Sequence, residues 1–330
     1  MEGWNCQIER MDHPPPHPDL RSGFVALIGR PNVGKSTLLN RLVGQKLAIT
    51  SPVAQTTRRR LRGVLTLPEA QLIFVDTPGI HKPHHLLGER LVKSAREVIG
   101  EVDLVLFLVN GSLPAGRGDA YIVDLLRRSH APVHVALNHW DLVEASQAEA
   151  QLSSYRQLLQ QPETEEEGQN RWPLHPVSAL TGVGIEDLVR ALVMDLPKGP
   201  RLYPPEMVSD QSEQTLLSEL IREQVLHHTR EEVPHSVAVK VERIVEESRS
   251  ETHGGKRVAV LATVYVERPS QKSILIGRGG QMLRTIGSGA RKQMEALLGC
   301  PIYLELFVKV APQWRRNSAR LAELGYGNEG

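Results

Sequence analysis

The stretch that most restricts what this chain can fold into is Gly29-Arg30-Pro31-Asn32-Val33-Gly34-Lys35-Ser36, which satisfies GxxxxGK[ST]. It stands between an apolar run, FVALI (24–28), and an amphipathic segment, STLLNRLVG. Glycines let a main chain wrap closely around an anion, and a helix start offers it amide donors. Strand, tight turn and helix in that order make a βα unit, which needs neighbouring strands to bury it. Lys35 is expected to reach the β- and γ-phosphates of a nucleotide and the Ser36 hydroxyl to ligate Mg²⁺. Gly29, Arg30, Pro31, Asn32, Val33, Gly34 and Thr37 complete the expected phosphate loop.

The neighbouring strands are legible. QLIFV (71–75), DLVLFLV (103–109) and PVHVAL (132–137) are continuously apolar, as strands covered on both faces are. RGVLTL (62–67) precedes QLIFV across a short turn, which predicts a hairpin and one antiparallel edge strand. Residues 23–196 therefore read as an α/β domain, with a mostly parallel sheet and helices on both faces. Residues 1–22, with mixed charge and a Pro/His cluster, read as a disordered extension. LPKGPRLYPPEMVSD (196–210) has four prolines and one glycine, so 197–210 reads as a linker. Beyond it, residues 211–330 read as an α+β domain. Its expected elements are a helix over 212–230, strands SVAVKVERIV and RVAVLATVYV, a short strand KSILI (272–276), a helix over 280–297, a strand IYLELFVKV and a last short helix.

Three further stretches fall at predicted strand ends. Asp76-Thr77-Pro78-Gly79 closes QLIFV. A carboxylate there can hold Mg²⁺ through water, and the Gly79 amide can meet a γ-phosphate. In the intervening SPVAQTTRRR a threonine can complete the Mg²⁺ shell while triphosphate is bound. Thr57 is the first choice and Thr56 the second, with a plain loop as the alternative. Asn138-His139-Trp140-Asp141 follows PVHVAL, and Ser178-Ala179-Leu180 follows HPVS. The Asp141 carboxylate can accept from guanine N1–H and the 2-amino group, and the Ala179 amide can donate to O6. Adenine reverses those positions, so the set selects guanine. A lysine would normally follow the asparagine, and His139 offers a stacking ring instead. Ile80, after Gly79, has no proton-handling group, so slow intrinsic turnover is expected.

In the second domain, Lys272-Ser273-Ile274-Leu275-Ile276-Gly277-Arg278-Gly279-Gly280 places a GxxG loop before a helix. Such a loop lets a nucleic-acid backbone approach closely. Arg278 would meet phosphate. Ile274, Ile276, Leu283 and Ile286 would either line a shallow groove for bases or belong to the core. Residues 269–320 hold nine Lys/Arg against two acids, although the whole chain carries only +1. Arg284, Arg291, Lys292, Arg315 and Arg316 would widen the footprint on RNA, or simply be solvated. No apolar run reaches membrane-spanning length. Cys6 and Cys300 give no disulfide framework, which fits a reducing cytoplasm.

With GRPNVGKS, QTTRR, DTPG, NHWD and SAL in order, residues 24–195 resemble the translation-factor-like, Era-class GTPases. The GxxG segment with its α+β frame resembles a type II KH domain. The GTPase-then-KH order over residues 23–327 is similar to the KH-bearing Era GTPases. This resemblance implies GTP/GDP as ligand, Mg²⁺ as cofactor, and a K⁺ ion at Asn32, for which a loop-stabilising turn residue is the alternative. It also implies a monomer that binds 16S ribosomal RNA near its 3′ end and assists 30S assembly. The competing expectation is a GTPase acting on a membrane or protein partner, since the family includes peripheral association with the inner membrane.

Overall fold

The computed structural model describes residues 19–51, 61–77, 79–80, 97–160, 172–248 and 256–324. The first domain is a six-stranded sheet in the order β2-β3-β1-β4-β5-β6. Its strands are β1 (Arg21–Gly29), β2 (Leu61–Thr66), β3 (Ala70–Asp76), β4 (Leu104–Asn110), β5 (Val133–Asn138) and β6 (Leu174–Pro176). Of these, only β2 runs antiparallel, paired with β3 on the edge, as the hairpin reading anticipated. Its helices include α1 (Lys35–Val43), α2 (Arg117–Leu126), α3 (Ala145–Leu159) and α4 (Ile185–Asp195). Two cores result. Val25, Leu27, Leu72, Phe74, Leu104 and Leu106 pack with α1 and α4, while Ala26, Ile28, Val105, Phe107, Val133 and Val135 pack with α2 and α3. Alternate side chains of each strand go to opposite cores, which is why the runs are continuously apolar.

Strand β1 begins at Arg21, inside the expected extension. Arg21 pairs with Ala70, and Leu20 is buried. The proline-rich 197–210 stretch is not a free tether either. Gln71 Oε1 accepts from Leu202 N and Tyr203 N, and Val64 N donates to Val208 O. The stretch is thereby laid against β2 and β3.

The second domain has α5 (Glu213–His228), α6 (Val233–Ser236), α7 (Pro269–Ile276), α8 (Gln281–Leu298) and α9 (Ser318–Glu323). Its sheet has the order β7-β8-β9, with β7 (Ala238–Ser248), β8 (Lys256–Val266) and β9 (Ile302–Val310). β8 is antiparallel to β7 and parallel to β9. Val258, Val260, Ala262 and Val264 face α5 and α8 across one core with Leu217, Ile221, Ile286, Ala290 and Met294. KSILI is helix α7, not a strand. Pro269 occupies its first turn, where the missing N–H costs nothing, and Gln271 Oε1 accepts from Glu267 N and Arg268 N. This N-terminal cap overrides the apolar run that suggested a strand. Among the described residues, no helix is long and apolar enough to cross a membrane.

Candidate nucleotide and RNA sites

The phosphate loop, Asp76, Asn138 and Ser178 all lie at or just beyond the carboxyl ends of strands of one sheet, where ligands of open α/β folds bind. Gly34 is in the left-handed region (φ 94), and an added Cβ there would strike Asn138 Nδ2. Gly79 packs so closely on Pro31 that a Cβ would come within 2.7 Å of its nitrogen. Ile80 N donates to Gly29 O. Gly79 and Ile80 are thus docked onto the phosphate loop through main chain, and only glycine fits at the contact. The Ile80 side chain is in the core, consistent with its having no part in catalysis.

Lys35 is buried and its Nζ donates to Gly29 O (3.2 Å) and Arg30 O (3.0 Å). Burial lowers its pKa to about 8, against the smaller opposing pull of Asp76. An anionic phosphate in the loop would reverse that loss and fix the ammonium. Ser36 Oγ donates to Asp76 Oδ2 at 3.1 Å, so the hydroxyl and carboxylate converge. Hard oxygen ligands of this kind fit Mg²⁺. Thr56 and Thr57 lie outside the described residues. The Arg30 side chain points to α2: its Nη1 lies 3.0 Å from the buried Asp119 Oδ2, which also accepts from Gly116 N. The guanidinium braces the loop against α2 instead of facing phosphate. Asn32 is exposed at the loop tip with φ 62, a conformation asparagine tolerates, which suits the turn role.

Asn138, 1% exposed, is a strut. Its Nδ2 donates to Val33 O (2.8 Å) and its Oδ1 accepts from Ala179 N (2.9 Å), tying the phosphate loop to the SAL loop. The Ala179 amide, expected to face guanine O6, is therefore committed to Asn138. Asn138 Nδ2 carries a second proton suited to an acceptor on the base. Ser178 Oγ accepts from Thr181 N, and Arg41 donates to Ala179 O and Leu180 O, so this loop is held from both sides. The Leu180 side chain is 70% exposed, and Asp141 is exposed at the turn that follows β5.

His139 has φ 63, and Asn110 Oδ1 lies 3.2 Å from its Nδ1. The same Oδ1 accepts from Ser112 N and Ser112 Oγ, which identifies it as oxygen, so His139 Nδ1 must carry the proton. Nε2 then bears a lone pair on the phosphate-loop side. Burial lowers the pKa of the ring despite the opposing pull of Asp141, which favours its neutral form. Asn110 was not legible as functional from sequence. Its place at the end of β4, level with Asn138, is the signal that could have found it.

In the second domain the GxxG loop joins α7 to α8, with Gly277, Gly279 and Gly280 all at positive φ. At Gly277 a Cβ would crowd Met282, whereas at Gly279 and Gly280 it would meet nothing within 4 Å. The loop's outer side is open for close approach. Arg278 is exposed, while Arg284 donates to Gly279 O (3.1 Å) and steadies the loop. Ile274 is 51% exposed, Ile276 and Leu283 are half-buried at the core edge, and Ile286 is core. Arg291 and Lys292 are exposed on α8, and Lys292 with Arg284 and His228 lines a shallow cavity of about 430 Å³. Arg316 is exposed, but Arg315 is committed to Glu267 (2.5 Å), whose carboxyl it holds below the usual range.

Residues 24–139 match a family of 50S ribosome-binding GTPases and residues 232–315 match the KH domain family. The chain is 55% identical over 309 residues to GTPase Era of Nostoc sp., covering 94% of this chain and 90% of that protein. It is 52% identical to GTPase Era of Synechocystis sp., covering 93% of each. Among solved structures it is similar to Era in complex with MgGDPNP and nucleotides 1506–1542 of 16S ribosomal RNA. That match has 37% identity and a TM-score of 0.83 over 94% of this chain and all of the other. A single-residue variant of Aquifex aeolicus Era bound to GDP·AlF4⁻ matches to the same extent.

Proposed function

The chain belongs to the Era family of GTPases, and from that membership we propose that it is a nucleotide-switched RNA-binding protein. It engages the 3′ end of 16S ribosomal RNA through its GxxG segment and assists 30S assembly in the cytoplasm. The observation that carries this reading is the pairing, in one chain, of a phosphate loop tied to the NHWD and SAL loops with a GxxG loop open on its outer side. The Era complex with MgGDPNP and 16S nucleotides 1506–1542 supports it, because that protein matches both domains of this one.

In the GTPase domain, Lys35 neutralises phosphate charge, while Ser36 and Asp76 would hold Mg²⁺; the threonine expected to complete the shell, Thr57 first and Thr56 second, lies outside the described residues. When bound, Mg²⁺ would supply neutralisation of phosphate charge. The Gly79 amide contacts the γ-phosphate, and Asp141 selects guanine. Ile80, directly after the DxxG turn, handles no proton, so the unstimulated rate is slow. In the KH domain, main chain at 277–280 accepts the RNA backbone, Arg278 pairs with phosphate, and Ile274, Ile276 and Leu283 offer apolar contact to bases.

The test is RNA affinity by filter binding for Gly280→Asp and Arg278→Glu, with RNA-free GTPase rate measured on the same preparations. Each variant should lose RNA affinity and keep its rate, and the Arg278→Glu loss should shrink as salt rises. Unaltered RNA affinity in both would refute the KH reading.

A further inference from the structure

Glu223, on α5 of the second domain, is 1% exposed and belongs to neither site. A carboxylate is buried at a cost unless its oxygens are fully served. Here Oε2 accepts from Lys46 Nζ (2.6 Å) and Gln293 Nε2 (2.7 Å), and Oε1 accepts from Thr50 N (2.7 Å) and Thr50 Oγ1 (3.2 Å). The four donors come from two places. Lys46 and Thr50 belong to the segment that leaves α1, the helix opened by Lys35. Gln293 is on α8, the helix that Gly280 caps.

The 46–50 segment is held at both ends. On the GTPase side, Asn40 Oδ1 accepts from Leu47 N (2.9 Å) and Ala48 N (2.8 Å), and Asn40 Nδ2 donates to Ala48 O (2.7 Å). On the other side, Ile49 is buried in the core of the second domain with Leu217, Leu220 and Ile221. From Ser51 the chain runs into residues 52–60, which contain Thr56 and Thr57.

We propose that Glu223 is the residue that transmits nucleotide state to the RNA site. It clamps the strap between the phosphate-loop helix and the switch threonines to the helix behind the GxxG loop. This rests on the proposed nucleotide-switched RNA binding. A change in the strap alters the donors on one side of a single buried carboxylate, and Gln293 on the other side shares that carboxylate. A merely structural staple would move stability without moving the dependence of RNA affinity on nucleotide.

The experiment measures dissociation constants for a labelled oligonucleotide of the 16S 3′ end. The full chain is saturated with GDP or with a non-hydrolysable GTP analogue, and the readout is the ratio of the two constants. Wild type should show a ratio in the ordinary allosteric range of about 5- to 150-fold. Glu223→Gln keeps the shape but turns an amide donor toward Lys46 and Gln293. It should bring the ratio to within about twofold of unity, with RNA-free GTPase rate and GDP affinity unchanged. Lys46→Met, which leaves the second domain intact, should lower the ratio in the same direction and decides the matter if Glu223→Gln folds poorly. A wild-type ratio kept in both variants overturns the proposal. Wild-type RNA binding with a ratio of one also overturns it but leaves RNA recognition standing. Failure of wild type to bind the RNA in either state overturns the functional reading itself.

Discussion

Replacing Asn138 with alanine separates a strut from a base reader. The side chain makes two buried hydrogen bonds, to Val33 O at 2.8 Å and from Ala179 N at 2.9 Å. Each contributes about 1 kcal/mol net, and leaving the two partner groups buried and unserved raises the total to roughly 3 kcal/mol. For a domain of this size, each kcal/mol moves the midpoint by about 2–4 °C, so a fall of roughly 6–12 °C is expected in the nucleotide-free protein. GDP affinity should fall as well, because Asn138 aligns the phosphate and SAL loops and its Nδ2 keeps a proton for the base. The assay is calorimetric unfolding with and without GDP, alongside titration of a fluorescent GDP. Asp141→Ala is the internal control: Asp141 is exposed, so its loss should cost affinity and leave the nucleotide-free midpoint unchanged. An Asn138→Ala midpoint within about 2 °C of wild type, well under the expected shift, would refute the strut.

Asp141→Asn should shift preference from GTP toward XTP, because an amide donates where the carboxylate accepted; competition binding reads this directly, and an unchanged preference removes the NHWD loop from base recognition. His139→Lys should bind GTP as well as wild type or somewhat better while still rejecting ATP, whereas a large loss would mean that the ring held by Asn110 makes a contact lysine cannot replace. His175 has its pKa lowered to about 4, chiefly by burial and then by the stacked His134, which also contacts Asp195. The unfolded chain takes the proton near pH 6.5 and the folded one resists it, so stability should be full above that pH and decline as pH falls toward 4. Unfolding midpoints across that range should show the decline, and His175→Gln should flatten it.

The phosphate loop, the strand runs of the sheet and the GxxG loop were legible because each is local: spacing and apolar continuity are written over fewer than about ten residues. KSILI was misread because three consecutive apolar residues suit a strand or a buried helix, and only Pro269 with Gln271 distinguishes them. The 197–210 segment reads as a linker, and its packing on Gln71 and Val64 was not visible because those partners are far away in sequence. The same distance hid the hydrogen-bond partners of Asn110, Asn40 and Glu223, and the bracing of the Arg30 side chain on Asp119. The expected base-selecting role of Asp141 rests on the NHWD spacing, whereas the commitment of the Ala179 amide to Asn138 required the two loops to be seen together.

The most direct measurement is ultraviolet crosslinking of the full chain to total RNA, with GDP or a non-hydrolysable GTP analogue present, followed by sequencing of the RNA and mapping of the crosslinked peptide. Enrichment of the 3′ end of 16S ribosomal RNA, on peptides spanning residues 274–284 and dependent on the nucleotide supplied, is the expected result. Crosslinks spread over RNA without preference, or confined to peptides outside the second domain, would contradict a guanine-switched KH protein of the small subunit.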